Sequence, residues 1–261
     1  TADVYGEGHS EKIIGSMWND VSRDDIFLAS KVGWDMGPHS HWYHPKYMKI
    51  KMEQSIKNLK TDYVDLMYLH HCNFGKNNEY LDDAAEVLYR FKEEGKTKFI
   101  GLSDWSSKRI LSYIKKIDPD VVQPLYNVHD TEYVDSGLKR YVKSNNIGTC
   151  YFSPIKHGIL TGKYENVVEF PEGDFRSNVK EFKSIDFINK MKKNKKKIET
   201  RFSDIDPDPI LHALLGAILY DNPTACVLLG QRNEEQASAA GKLGQPLNGN
   251  DAEWILSLYK D

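Results

Sequence analysis

Short apolar runs alternate along the chain with longer segments whose apolar residues follow a helical period. Six runs have the length and composition of strands buried on both faces, and they cover residues 26–31, 64–70, 99–103, 121–123, 147–153 and 225–230. The helical segments cover residues 44–61, 81–95, 106–117, 136–146, 208–223, 234–244 and about 251–259. This alternation predicts the α/β class, with a parallel sheet and helical crossovers.

The regularity of the helices favours a closed (β/α)8 TIM barrel over an open sheet. Open dinucleotide-binding sheets carry three glycines after a strand, but here Gly6 and Gly8 are followed by Glu11 at the third position. A complete barrel has eight strands, and six are readable. We therefore expect a single barrel domain over residues 1–261 that is N-terminally incomplete, with its first two strands upstream of Thr1.

One excursion interrupts the repeat. Residues 156–206 show no clear strand and include the basic run 190–201. A run of this kind is typical of a solvated helix face or a mobile loop. Because the excursion follows the end of a strand, it also lies where barrel enzymes place lids.

Composition narrows the class of protein. The 261 residues are 40% apolar and 28% charged with a net charge of -3, which is typical of a soluble globular chain without a basic field for nucleic acid. No apolar stretch approaches the roughly 20 residues that cross a bilayer. The three cysteines (Cys72, Cys150 and Cys226) are too widely spaced for a disulfide framework. We expect a cytoplasmic protein, and nothing in the sequence indicates its oligomeric state.

The ends of the predicted strands carry the candidate chemistry. In a barrel the carboxyl ends of all strands surround one pocket, and the residues there are Lys31, His70, Ser103, Asp104, Gln123, Ser153 and Gly230. Tyr5 follows the expected upstream strand. A neighbouring ammonium would favour its phenolate and lower its pKa from about 10, so that it could donate a proton to a carbonyl oxygen.

A metal site is not expected. Adjacent strand residues point to opposite faces, so His70 and His71 do not easily share an ion. The group His39, His41 and His44 has no acidic or cysteine residue between its histidines.

Seven segments, in order and over essentially the whole chain, resemble the aldo-keto reductases. They are TADVYGEGHSEKIIG, LASKVGW, TDYVDLMYLHH, GKTKFIGLSDWS, VVQPLYN, YFSPIKHGILTGKY and VLLGQRNEEQ. The resemblance implies a (β/α)8 barrel that binds NADP(H) and reduces aldehydes and ketones.

The resemblance also implies roles for individual residues. Tyr5 matches the proton donor, Lys31 the lysine that lowers its pKa, and His70 the histidine that orients the carbonyl. The positions that match cofactor-binding residues are Ser103, Asp104 and Gln123 at the nicotinamide amide, Phe152 on the nicotinamide ring, Ser153, Ile155 and Gly158 at the pyrophosphate, and Gly230, Arg232 and Gln236 at the adenosine 2′-phosphate and adenine. Arg232 favours NADPH over NADH.

Three features depart from the family pattern. The family's catalytic aspartate would stand immediately before Thr1, Asp104 replaces an asparagine, and Ala239-Ala240 replaces a Glu-Asn pair. The changes at Asp104 and Ala240 favour a non-catalytic, nucleotide-sensing or regulatory protein of the same fold, whereas the intact Tyr5, Lys31 and His70 argue against it. A hydrolase or isomerase using His70 and Lys31 is a weaker alternative, because no carboxylate pair supports it.

The substrate is described only by the loops that would surround it. These loops are rich in aromatic residues, and we expect Trp34 or Trp42 to line the mouth of the pocket. A medium-sized apolar or ring-containing carbonyl compound is the expected substrate.

Overall fold

A computed structural model of the protein describes residues 1–260. They divide into two compact units, residues 1–124 with 136–148 and residues 125–135 with the chain from 149 onwards. The strands are β1 (Ala29–Val32), β2 (Val64–Leu69), β3 (Thr97–Asp104), β4 (Val121–Pro124), β5 (Gly148–Tyr151) and β6 (Cys226–Val227). The helices are α1 (His9–Gly15), α2 (Pro45–Leu59), α3 (Leu81–Glu93), α4 (Ser107–Ile117), α5 (Glu132–Asp135), α6 (Leu138–Ser144), α7 (Ile185–Arg201), α8 (Pro209–Leu219), α9 (Glu234–Ala240) and α10 (Gly249–Tyr259).

The first unit is built on four parallel strands whose order in the sheet follows their order in the chain. Lys31 pairs in register with Tyr68, and Ser103 pairs with Gln123. All six residues of β2 are buried, as expected for a parallel strand covered on both faces. The carboxyl ends of β1 to β4 therefore carry the predicted strand-end residues on one edge.

Helix α1 is fixed by polar contacts instead of an apolar stripe. Glu11 is fully buried, and its carboxylate accepts hydrogen bonds from Ser30 Oγ on β1 (2.8 Å) and from Asn58 Nδ2 on α2 (3.1 Å). Gly15 lies against the backbone of α2, where an added Cβ would be 2.3 Å from the carbonyl oxygen of Asn58. Together these contacts hold the segment that follows Tyr5 against the sheet.

The second unit contains β5 and β6, which pair in parallel with Cys150 opposite Cys226. Helix α8 is apolar all round and mostly buried, which is typical of a core helix. Helix α7 is rich in lysine, but one face of it is buried and is formed by Ile188, Met191, Asn194 and Ile198.

The predicted α/β class is confirmed, with six strands in parallel pairs and helices between them. The largest differences in strand bounds are at β1, which begins at Ala29 instead of residue 26, and at β6, which has two residues instead of six. The basic run 190–201 belongs to a helix, as one of its two interpretations predicted. Helix α1 was not predicted. That the chain is one domain, and that two strands precede Thr1, stay predictions.

Within residues 1–260, none of the helices combines the length and the apolar character that a membrane span requires.

We predict that Gly15→Ala destabilises the protein by about 1–3 kcal/mol, because the added methyl group would have to displace the backbone of α2. Urea denaturation followed by circular dichroism measures the change. Gly249→Ala is the matched control, since an added Cβ at this helical glycine meets nothing within 4 Å. Equal stability of the Gly15 variant and the wild type would contradict the close packing of α1 on α2.

Candidate active site

A buried ammonium group lies at the carboxyl end of β1. Lys31 is only 6% exposed, and its Nζ donates hydrogen bonds to the carbonyl oxygen of Thr1 (3.0 Å) and to the hydroxyl oxygen of Tyr5 (3.2 Å). The N–H of Asp3 in turn donates to the Lys31 carbonyl oxygen at 3.1 Å. The expected proximity of the Tyr5 phenol and the Lys31 ammonium is therefore confirmed.

The expected effect on the acidity of Tyr5 is wrong in direction. Burial and the Asp3 carboxylate raise the pKa of Tyr5 above its ordinary value of 10.0, although Lys31 is in contact. Tyr5 is still 45% exposed, so the raised pKa reflects a partial loss of water together with the nearby Asp3 charge. Tyr5 is therefore a neutral phenol at pH 7, able to donate a proton and not poised as phenolate.

His70 follows β2 and is held neutral. Burial, together with the charges of Lys31 and His71, lowers the pKa of His70 to about 3. Its ring centroid lies 5.7 Å from that of Tyr5, edge to face. Its Nδ1 is buried without a hydrogen-bond partner among residues 1–260, so this imidazole has hydrogen-bonding capacity left for a ligand.

Two tryptophans lie beside the histidines, and they differ in role. Trp34 is 46% exposed, with its ring centroid 5.0 Å from that of His70. Trp42 packs on His71 at 4.8 Å, and its Nε1 donates to the carbonyl oxygen of Asn73 at 2.9 Å. Trp34 is thus the tryptophan in direct contact with the Tyr5–Lys31–His70 group, whereas Trp42 supports the loop beside it.

Ser103 and Gln123 lie side by side at the ends of β3 and β4. Both are 4% exposed, and Ser103 Oγ donates to the main-chain oxygen of Gln123 at 3.1 Å. The Gln123 side-chain amide makes no hydrogen bond within residues 1–260. A buried amide with a spare donor and a spare acceptor fits a carboxamide such as that of nicotinamide.

Asp104 is turned towards the protein. Its Oδ2 accepts from the N–H of Cys72 at 2.6 Å and its Oδ1 from the N–H of Ser106 at 2.8 Å. The carboxylate is only 2% exposed. Both oxygens are therefore bound by main-chain groups of this chain.

The predicted pyrophosphate loop belongs to the second unit and has an unusual backbone. Ser153, Lys156, His157 and Gly158 have φ values of 56°, 45°, 55° and 88°, a region costly for residues with a Cβ. Lys156 is anchored by ion pairs to Asp130 (2.7 Å) and Glu181 (3.2 Å). Phe152 is half-buried just before this loop, and Ile155 precedes its helical turn.

Gly230, Arg232 and Gln236 also lie in the second unit, on its surface. The Gln236 side chain binds the main chain just before its helix, because its Oε1 accepts from the N–H of Arg232 at 3.0 Å. The Arg232 guanidinium makes no ion pair within residues 1–260, so its charge is available to a phosphate. A cavity of about 440 Å³ lies beside the preceding residues; its lining includes Leu215, Val227, Leu229, Gly230, Gln231 and Ala240.

Sequence reasoning missed Asp3 as part of this site. Asp3 is 4% exposed, and its carboxylate has no hydrogen bond within residues 1–260, only an ion pair with Lys51 at 3.4 Å. Burial raises its pKa to about 6, against the opposing effect of Lys51. No motif marks this residue; only its burial next to Tyr5 does.

No group of three or more His, Cys, Asp or Glu side chains among residues 1–260 is arranged to hold a metal ion. The rings of His39 and His44 stack at 4.8 Å, and His41 stacks on Tyr80 at 4.3 Å. In this structure these histidines are aromatic packing groups.

Known proteins that are similar to this chain include aldo-keto reductases. The model of the aldo/keto reductase family matches residues 1–242. The aldo-keto reductase YhdN of Bacillus subtilis is 28% identical over all of this chain and 78% of its own length. The NADP(+) aldo-keto reductase yakc of Schizosaccharomyces pombe is 29% identical over 73% of this chain, which spans 57% of that protein.

Among solved structures, a glycerol dehydrogenase from Gluconobacter oxydans superposes with a TM-score of 0.82 at 22% identity, covering 99% of this chain and 79% of that one. At this identity the likeness shows the fold, which is that of the aldo-keto reductase barrels.

We predict that Asp3→Asn stabilises the protein at pH 7 but not at pH 4. The folded-state pKa of Asp3 is about 6 and its ordinary value is 3.8, so the charged carboxylate destabilises the folded protein. The contribution of Asp3 to the free energy of unfolding is therefore full below about pH 4 and is lost as the pH rises through 6. The full gain in the free energy of unfolding is about 3 kcal/mol, reduced by the loss of the ion pair between Asp3 and Lys51. Urea denaturation at the two pH values measures it.

Asp35→Asn is the matched control. Asp35 lies near the same Lys51 ammonium, but the N–H of Gly37 and the hydroxyl of Tyr47 lower its pKa. Removing this carboxylate should bring no gain at pH 7. A pH-independent effect of Asp3→Asn would contradict the raised pKa.

Proposed function

Because this chain belongs to the aldo/keto reductase family, and because a phenol, an ammonium and an imidazole converge at one sheet edge, we propose that it is an NADPH-dependent reductase of aldehydes or ketones. The single observation that carries the proposal is the 3.2 Å contact between Lys31 Nζ and the Tyr5 hydroxyl, with His70 beside them. The substrate would be a medium-sized apolar or ring-containing carbonyl compound.

The residues fit a nicotinamide cofactor. Within the first unit, Gln123 and Ser103 would bind the carboxamide. Within the second unit the family resemblance assigns the remaining roles: Phe152 to the ring, Ser153, Ile155 and Gly158 to the pyrophosphate, and Gly230, Arg232 and Gln236 to the adenosine end. When bound, this cofactor supplies the hydride. The unpaired Arg232 favours a 2′-phosphate and hence NADPH, in line with the NADP(+) in the name of the Schizosaccharomyces relative.

Side chains of this protein would neutralise and stabilise the negative charge that develops on the carbonyl oxygen. Tyr5 donates its proton to that oxygen, since the raised pKa keeps the phenol protonated at neutral pH. The neutral His70 donates one N–H to the same oxygen, which orients the carbonyl. Lys31 stabilises the phenolate left behind, because its ammonium is already in contact with the phenol oxygen.

The cellular setting is also part of the proposal. Among residues 1–260, Cys72, Cys150 and Cys226 form no disulfide, which suits a reducing compartment such as the cytoplasm.

We predict that Tyr5→Phe lowers kcat for 4-nitrobenzaldehyde reduction by at least about 100-fold while leaving the Kd for NADPH unchanged. Loss of the proton donor affects the chemical step and leaves the cofactor contacts intact. NADPH oxidation at 340 nm and NADPH fluorescence measure the two quantities. Tyr89→Phe is the control, since Tyr89 lies on α3 with its hydroxyl 3.3 Å from the Asp118 carbonyl oxygen.

The same measurements distinguish the alternative of a nucleotide-sensing or regulatory protein. Tight NADPH binding by the wild type with no turnover of any carbonyl would favour that alternative. Unchanged kcat in Tyr5→Phe would instead show that another group donates the proton.

We predict that Trp34→Ala raises KM for 4-nitrobenzaldehyde about 3- to 10-fold more than KM for propanal. The indole lies against His70 and offers a stacking face to a ring-bearing substrate, and one such contact is worth about 0.5–1.5 kcal/mol. Steady-state kinetics with both aldehydes test this. Equal changes for the two substrates would argue against a stacking role.

A further inference from the structure

The main chain that leaves β2 is bound by side chains from other segments of the first unit. The N–H of His70 donates to the Val32 carbonyl oxygen at 2.9 Å. The next residue, His71, uses both of its main-chain groups on one hydroxyl: its N–H donates to Tyr43 Oη at 3.2 Å, and its carbonyl oxygen accepts from the same group at 2.5 Å. The direction of the chain immediately after His70 is therefore fixed by contacts outside the strand.

The peptide groups of Cys72 are held in the same way by an aspartate and an arginine. Its N–H donates to Asp104 Oδ2 at 2.6 Å, and its carbonyl oxygen accepts from Arg109 Nη2. The two side chains also approach each other, with Arg109 Nη1 3.7 Å from Asp104 Oδ2. Asp104 at the end of β3 and Arg109 in the first turn of α4 thus bind the main chain of Cys72 together.

Because Asp104 is buried, its carboxylate requires several polar partners. A carboxylate that is 2% exposed is costly unless hydrogen bonds and an opposite charge compensate for the lost water. Here two main-chain N–H groups and the Arg109 guanidinium provide that compensation. An asparagine would accept only one of the two N–H groups, because its NH2 would face the other.

We propose that Asp104 and Arg109 are positioning residues for His70, holding the Cys72 peptide so that the His70 imidazole is directed at the substrate carbonyl. The inference rests on the proposed function. It replaces the expectation that Asp104 binds the nicotinamide amide, because both carboxylate oxygens are engaged by the main chain.

Asp104→Asn separates the two roles. A positioning residue affects the orientation of the carbonyl, so we expect kcat for 4-nitrobenzaldehyde to fall about 10- to 100-fold while the Kd for NADPH stays within about 2-fold. A cofactor ligand predicts the reverse, since asparagine restores the donor usual in the family: tighter NADPH binding with kcat unchanged. That second outcome would overturn the proposal.

Arg109→Gln tests the other half of the pair. It should lower kcat in the same direction, and the double variant should lose little more than Asp104→Asn alone, because both act through Cys72. Full additivity of the two effects would show that they act separately and would contradict the proposal.

A matched control lies at the opposite end of the same sheet. Asp65 is also buried; its Oδ2 accepts from the N–H of Leu28 at 2.8 Å and from Arg23 Nη2 at 2.8 Å. Asp65→Asn should lower thermal stability as much as Asp104→Asn does, yet leave kcat and the Kd for NADPH unchanged. If it lowered kcat equally, general destabilisation would explain both variants.

A readout without cofactor or substrate completes the test. In the ligand-free protein, amide hydrogen exchange at residues 71–73 should quicken in Asp104→Asn and Arg109→Gln and stay unchanged in Asp65→Asn. Unchanged exchange in the first two variants would contradict the positioning role. If exchange quickens as expected but the wild type reduces no carbonyl, the proposed function has failed and the contact has not.

Discussion

A lysine ammonium buried within the sheet edge dictates the geometry around it. Water is nearly excluded from Lys31, so the charge requires oxygen atoms at fixed distances, and the Thr1 carbonyl and the Tyr5 phenol provide them. Neither oxygen could satisfy the charge unless the segment 1–5 lay along β1. The hydrogen bond from Asp3 to the Lys31 carbonyl secures that placement. The position of the Tyr5 phenol is thus a consequence of solvating one cation.

The two aromatic groups beside Lys31 carry no charge at pH 7. Burial lowers the pKa of the His70 imidazole to about 3, and the Tyr5 phenol, whose ordinary pKa is 10.0, is shifted further upwards. Lys31 therefore holds the positive charge of this group alone, and a developing oxyanion would meet one cation and two neutral hydrogen-bond donors. Asp3 opposes this arrangement, because its buried carboxylate makes it harder to ionise Tyr5.

Much of this site could be predicted from the sequence, for a physical reason. Lys31, His70, Ser103 and Gln123 each end an apolar run, and parallel strands bring such ends to one edge. The acidity of Tyr5 could not be predicted, since it depends on burial and on a carboxylate two residues away. Nor could the role of Asp104, because its partners are main-chain N–H groups, which every residue but proline has. Helix α1 escaped for a similar reason: its buried face consists of Glu11 and Gly15, which form no apolar period.

The sheet of the first unit carries an aspartate–arginine pair at each end. Arg23 and Asp65 bind the main chain where the strands begin, while Asp104 and Arg109 bind it where they finish. Because the two pairs share no residue, substitution of Arg23 or Asp65 could change the thermal stability of the protein without disturbing the main chain at the carboxyl ends of the strands. The main-chain geometry beside His70 would then depend on one pair, whereas resistance to unfolding would depend on both.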